Sequence, residues 1–312
     1  MTLRPLATAF ACALTAAACG RTAVQEPDTR ATEIAAPPAA PVVVHLSDRL
    51  VRPAPARLVA VGDLHGDLDH TRRALRLAGA IDAADAWVGG KLVVVQTGDE
   101  IDRGDDDRAI LDDVDAWKAE ARTAGGELVA LLGNHEIMNA SQDFRYVTPE
   151  GLAAFAPVPG GRAAAMAPGG LYATRLAGRP LFVDVGGTVF VHGGVLPKHV
   201  AYGLDAMNDE LDAWLTGKRA APPPVVTGED GPVWTRVYSE DPPDCPSLDE
   251  TLAKLGAKRM VVGHTVQRGG ITSACNGKVW RIDVGLAHAF GGPIEALQIE
   301  GDSVAVLREA AP

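Results

Sequence analysis

Cysteine is scarce. The 312 residues hold four, at Cys12, Cys19, Cys245 and Cys275, and no two form a C-x-x-C pair. That excludes a disulfide-dense scaffold and argues against a cysteine zinc site. Aromatic side chains are few (5 Trp, 4 Tyr, 6 Phe), so Ala, Val and Leu must supply most of a core. Positive charge is in deficit: 29 Lys and Arg stand against 40 Asp and Glu, a formal charge of −11. A chain that tracks a nucleic-acid backbone needs a basic face, so no nucleic-acid partner is expected. The same balance argues against phosphorylated ligands, except that bound cations can reverse the local sign of a site. After the N-terminal segment no uncharged apolar run approaches the roughly 20 residues that a bilayer span takes. What is abundant is apolar: 47% of the chain against 22% charged, which argues against disorder. The 34 glycines and 22 prolines follow no triplet period, which excludes a collagen-like chain. The length suits one large domain or two modest ones.

Residues 1–18 read as a signal peptide. Arg4 precedes an apolar run from Leu6 to Ala18 that is too short for a comfortable span and ends in small residues. Ala16-Ala17-Ala18-Cys19 resembles a bacterial lipobox, in which Cys19 would carry lipid, and Ala16-x-Ala18 also suits ordinary signal cleavage. The expectation is an exported protein, either a lipoprotein facing the periplasm or a periplasmic or secreted one. Its contact with a membrane would come only through the lipid. Residues 19–50, with Ala35-Ala36-Pro37-Pro38-Ala39-Ala40-Pro41, read as a tether, and 51–312 as the folded domain. In an oxidising compartment Cys245 and Cys275 are either a disulfide or two buried thiols.

From Leu58 onward the pattern is apolar run, polar glycine-containing loop, amphipathic stretch. Leu58–Val61, Leu92–Val95 and Leu128–Leu132 read as buried strands, and helices follow over about 67–80 and 107–123. Such repetition predicts right-handed βαβ crossovers and a parallel sheet, with all three loops on one sheet edge. Residues 141–180, rich in Ala, Gly and Pro, read as short helices and loops forming a lid or insert. Strands return at Leu181–Val185, Val189–His192, Met260–Val262 and Val279–Val284. A last hairpin covers Ala296–Ile299 and Val304–Leu307 around Gly301-Asp302. These late strands predict a second sheet packed on the first, an α/β architecture of two mixed sheets flanked by helices.

Five loops carry chemistry: Gly62-Asp63-x-His65-Gly66, Gly98-Asp99-x-x-Asp102-Arg103-Gly104, Gly133-Asn134-His135-Glu136, His192-Gly193-Gly194 and Gly263-His264-Thr265. Each follows an apolar strand-like run. Asp63 and His65, two apart, can both leave a strand end toward one point, and Asp99 can bridge two cations. Asn134, His192 and His264 add a neutral oxygen and two imidazoles. Such mixed oxygen and nitrogen donors suit Mn, Fe or Zn better than thiolate-loving ions. Any one of these loops alone would more often be a turn or a packed histidine; five in order would not.

Together the loops resemble the calcineurin-like metallophosphoesterases, in their phosphoprotein phosphatase branch. Leu131 to Met138, Trp234-Thr235-Arg236 and Val261 to Thr265 are most similar to the Shewanella-like bacterial phosphatases. The resemblance covers about 58–290. It implies the calcineurin-like fold and two divalent or mixed-valence metal ions. One would be held by Asp63, His65 and Asp99, the other by Asp99, Asn134, His192 and His264. It implies that a metal-bridging hydroxide attacks phosphorus directly, that His135 protonates the leaving oxygen and that Asp102 orients His135. Arg103, Arg236 and Asn134 would bind phosphate. The implied substrates are phosphorylated proteins or small phosphate esters, with a preference for phosphotyrosine. A diadenosine-tetraphosphate or other phosphodiester hydrolase is the alternative within enzymes, and a non-catalytic envelope lipoprotein the alternative outside them. The Ser-Ala-Pro-Asn-Tyr motif of the eukaryotic serine/threonine branch is absent; Asp283-Val284-Gly285-Leu286-Ala287-His288 stands there. His45, His70, His199 and His288 are expected to have no catalytic role, and Trp117 and Trp214 to pack.

Overall fold

The computed structural model describes residues 43–310; the expected signal peptide over 1–18 and Cys19 lie outside them. In chain order the strands are β1 (Val51–Arg52), β2 (Leu58–Val61), β3 (Val93–Gln96), β4 (Glu127–Ala130), β5 (Phe182–Val185), β6 (Thr188–Val191), β7 (Arg259–Val262), β8 (Thr272–Ala274), β9 (Val279–Arg281), β10 (Glu295–Glu300) and β11 (Ser303–Arg308). The helices are α1 (Leu68–Leu77), α2 (Asp107–Thr123), α3 (Asn134–Ala140), α4 (Pro149–Ala153), α5 (Gly161–Met166), α6 (Leu171–Leu176), α7 (Pro197–Tyr202), α8 (Leu204–Leu215), α9 (Pro224–Thr227) and α10 (Cys245–Leu255).

The first sheet runs β11-β10-β2-β3-β4. All four residues of β2 are buried, as expected for a strand covered on both faces of a parallel sheet. Its pairings with β3, and of β3 with β4, are parallel and unshifted, so Val61, Gln96 and Ala130 end side by side. The second sheet runs β1-β5-β6-β7-β9-β8. There β6, β7 and β9 are parallel, with Val191, Val262 and Arg281 in register. Both sheets therefore send loops from the carboxyl ends of adjacent parallel strands, where α/β sites form. Alternation along the second sheet sets its packing. Val183, Val185, Phe190 and Val261 join the core built on the first sheet, while Phe182, Val189, Val191, Met260 and Val262 belong to a second core under the helices.

Helix α1 starts at Asp67, whose carboxylate accepts the His70 amide at 3.0 Å. On α2, Ile110, Val114, Trp117 and Ala121 form the buried stripe, at spacings of four, three and four. Trp117 and Trp214 are both core residues.

Two expectations are corrected. The last hairpin does not join the second sheet: β10 pairs antiparallel with β2 and extends the first sheet. Its apolar residues Ala296, Leu297 and Ile299 are buried in the first core, and strand pattern alone does not name the edge that a hairpin covers. The tether also ends earlier than residue 50. Leu50 is fully buried, the Val44 amide donates to Lys254 O at 2.8 Å, and Arg49 pairs with Asp212 at 3.2 Å, so residues 43–50 belong to the folded domain. Helices α7 to α10, between the second-sheet strands, were not anticipated.

Candidate metal centre and active site

Gly62, Gly98 and Gly133 begin three of the five loops, and two of them touch. Gly98 has φ +96°, and a Cβ there would lie 2.5 Å from the Gly133 amide nitrogen. Backbone packed this closely draws the Asp99 and Asn134 loops together. Glu136, at the start of α3, locks them. Its carboxylate accepts the amides of Asp99 at 2.9 Å, Glu100 at 2.8 Å and Gly133 at 2.8 Å. Burial pushes the Glu136 carboxyl up to about 7, with Asp99 and Glu100 adding to it.

The loops deliver their side chains to one place. Asp99 lies at the centre: its Oδ2 is 3.2 Å from His192 Nε2 and 3.8 Å from His65 Nε2. Donor atoms of Asp99, His192 and His264 lie within 4.8 Å of one another, and so do those of Asp99, His65 and His135. Asp63 Oδ2 is 3.9 Å from His65 Nε2 and accepts the His264 amide at 3.1 Å. Asn134 Oδ1 is 3.0 Å from His192 Nε2.

The donor set fits cations. Each of the three imidazoles has one nitrogen against a backbone carbonyl: His192 Nδ1 with Thr97 O at 2.9 Å, His65 Nδ1 with Ile101 O at 3.3 Å, His264 Nε2 with Trp234 O at 3.1 Å. That N–H must donate, so the other nitrogen presents a lone pair. In His192 this lone pair faces the oxygens of Asn134 and Asp99. Acceptors meeting without a proton between them are satisfied by a metal ion. The carboxylates say the same. Burial, then Asp283 and Asp99, push the Asp63 carboxyl well above its usual range. Burial also opposes ionisation of Asp99, and it takes positive charge at His192 and His135 to hold that carboxyl well below its usual range, a charge that a bound cation would supply while leaving His192 a neutral ligand. Burial also lowers His264 to about 2 and His65 to about 4, which favours the neutral ligand form.

His135 is placed differently. Its Nδ1 is 2.7 Å from Asp102 Oδ2, and its Nε2 is 3.9 Å from Asp99 Oδ2. It shares a cluster with Asp99 by distance, but its partner is Asp102. Arg103 lies with its guanidinium carbon 3.8 Å from the centre of the Tyr146 ring and 5.8 Å from that of Phe290. Arg236 Nη1 donates to His264 O and Thr265 Oγ1, both at 2.9 Å. Arg103, Arg236, Asn134 and His135 all border a cavity of about 210 Å³ above Asp99. Cys245 and Cys275 do not border it and form a disulfide, Cα to Cα 5.4 Å.

Sequence reasoning missed three contributors. Asp283, just past β9, is buried and borders the cavity, and burial pushes its carboxyl up to about 6. A polar residue ending an apolar strand on this sheet edge was the available signal. Glu136 was visible as a Glu at the third position of a helix that opens on glycine. Arg162 had no local signal.

Two sheets whose strand ends converge on a donor set centred on one shared carboxylate define a class, the metallophosphoesterases. A family model described as calcineurin-like phosphoesterase matches residues 56–268, and the chain belongs to that family. Within it, the chain is similar to the Shewanella-like protein phosphatases. It is 39% identical to Shewanella-like protein phosphatase 2 of Arabidopsis thaliana, over 80% of this chain and 76% of the plant protein. It is 30% identical to Shewanella-like protein phosphatase 1 of Plasmodium berghei, over 74% and 67% of the two chains. The fold matches the crystal structure of a cold-active protein-tyrosine phosphatase from a psychrophilic Shewanella species, with a TM-score of 0.69 and 22% identity over 86% and 83% of the chains. The protein is accordingly a phosphatase.

Proposed function

We propose that this protein is an exported, metal-dependent phosphomonoesterase that acts on phosphorylated proteins and prefers phosphotyrosine. The observation that carries the monoesterase reading is the cavity itself. Four of the metal donors, His65, Asp99, Asn134 and His264, line it, His135 borders it with Asp102 as its partner, and two arginines border it. Asp63, His65 and Asp99 would hold one ion, and Asp99, Asn134, His192 and His264 the other; Mn, Fe and Zn all suit these donors. Such a pair, when bound, would supply Lewis acidity toward phosphoryl oxygens and lower the pKa of a water. Arg103 and Arg236 bind the remaining phosphoryl oxygens through charge-assisted hydrogen bonds. Tyr146, with Phe290 farther off, packs against the Arg103 guanidinium and limits where it can point. His135, with Nδ1–H on Asp102, keeps a proton on Nε2 for the leaving oxygen. Tyr146, Trp234 and Phe290 border the same cavity and give it an aromatic lining, which supports phosphotyrosine over alkyl phosphates.

Turnover of p-nitrophenyl phosphate with Mn²⁺, abolished by EDTA, tests the class. No turnover with any divalent ion would sink it. Paired phosphotyrosine and phosphoserine peptides then test the preference. Export through residues 1–18 and lipid on Cys19 are supported by the N-terminal pattern alone. In a Gram-negative host, wild type should label with palmitate and partition with membranes, and Cys19→Ala should do neither.

A further inference from the structure

Arg162 is the largest fully buried side chain among the described residues. A guanidinium is removed from water only where its charge and donors are matched. Here the three side-chain partners lead to one residue, Asp102. Nη2 donates to Asp102 Oδ1 at 2.8 Å. Nη1 donates to Asp107 Oδ2 at 2.5 Å and to Gly151 O at 3.1 Å, and Nε donates to Asn139 Oδ1 at 2.8 Å. Asn139 turns its amide onto both Asp102 oxygens, each at 3.0 Å. Asp107 Oδ1 accepts the Asp102 backbone amide at 2.8 Å. The clamp thus grips the Asp102 backbone and carboxylate and leaves Oδ2 to face His135. It also holds two successive residues in the left-handed region, Asp102 at φ +71° and Arg103 at φ +73°. Non-glycine residues keep that conformation only when their surroundings impose it. Neither Arg162, Asn139 nor Asp107 borders the catalytic cavity.

We propose that Arg162 is a positioning residue for leaving-group protonation, acting through Asp102 on His135. This rests on the phosphatase reading above. The step served is one proton transfer. As the P–O bond to the leaving oxygen breaks, its electron pair takes the Nε2 proton of His135 and an O–H bond forms. Neutral imidazole remains, with Nδ1–H on Asp102. The fork of an arginine can reach Asp102 and Asp107 together; a point charge cannot.

The test compares two esters that differ in how much they need that proton. p-Nitrophenyl phosphate releases a stable anion, and phenyl phosphate does not. Arg162→Gln should lower kcat on phenyl phosphate by about ten- to a hundred-fold, the scale expected for a misaimed group. It should lower kcat on p-nitrophenyl phosphate much less, with KM and bound metal little changed. Arg162→Lys should recover part of the loss. In wild type the His135 Nδ1–H should give a downfield proton resonance, with or without metal, that weakens in Arg162→Gln. Equal losses on the two esters, or no loss, would overturn the proposal, since a purely structural residue has no leaving-group preference. If Arg162→Gln does not fold, Arg162→Lys against wild type carries the same comparison. Wild type inert toward both esters would instead reject the phosphatase reading.

Discussion

His135 and Asp99 are close neighbours with opposite duties, and single substitutions should separate them. His135→Ala removes a side chain whose near partner is Asp102, so metal content should stay at the wild-type level. Its rate should fall on the order of 10²–10⁴-fold, as for loss of a general acid. Asp99→Asn removes the carboxylate shared by both donor clusters and should lose metal first and activity with it. Metal analysis beside steady-state kinetics distinguishes the two; a His135→Ala enzyme fully active on a poor leaving group would reject the acid role. At this scale the sequence was readable wherever chemistry sits at strand ends. Asp63, His65, Asp99, Asn134, His192 and His264 each follow an apolar run within a few residues, and the fold brings them together. Arg162 was unreadable because its side-chain partners are 23, 55 and 60 residues away in the chain, and nothing in an Ala- and Gly-rich stretch marks it as buried. Asp283 was missed for a related reason: its neighbours across the cavity come from the other sheet.

Glycines in the loops act at the scale of elements. Gly66, at φ +67°, lies under the Asp102 loop, and a Cβ there would be 2.5 Å from Asp107 Oδ1 and 2.8 Å from Gly104 C. Gly66→Ala should therefore do two things. The left-handed backbone costs about 1–2 kcal/mol with a Cβ present. The displaced Asp107 should also loosen Asp102 and lower kcat. Gly301, in the β10–β11 turn at φ +60° with open space around it, is the control. Gly301→Ala should lower the melting temperature by strain alone and leave turnover intact. Thermal melts and p-nitrophenyl phosphate kinetics on both variants check this. Equal kinetics for the two would remove the steric link from Gly66 to Asp102. Buried strands and α2 were legible as elements because their apolar periods are unbroken. The place of the last hairpin, and helices α7 to α10, were not, because they depend on which exposed sheet edge and which apolar face remain to be covered.

Over the whole molecule, −11 net charge coexists with a site built to hold cations, so the overall acidity governs solubility and the five loops govern binding. Global stability should register a histidine outside that site. His199 is buried on α7. Its Nδ1 accepts the Leu196 amide at 3.0 Å, and its Nε2 donates to Asp230 O at 2.9 Å. The ring is therefore held neutral, and burial, with Lys198 adding, lowers it to about 4 from an ordinary 6.5. Above pH 6.5 neither state binds a proton there, and the contribution of His199 is intact. Between pH 6.5 and 4 the unfolded chain takes up a proton that the folded chain refuses, so stability falls as pH falls. Below pH 4 both are protonated and the loss levels off at about 3 kcal/mol. Asparagine lacks the titration. Denaturant unfolding of wild type and His199→Asn, in the same metal state at pH 7.5 and pH 5, should show a smaller drop in the variant. Carboxylates at the metal centre titrate alike in both proteins and cancel in the comparison. Equal drops would mean that His199 is protonated in the folded state, and that the contact with Asp230 O does not hold it neutral.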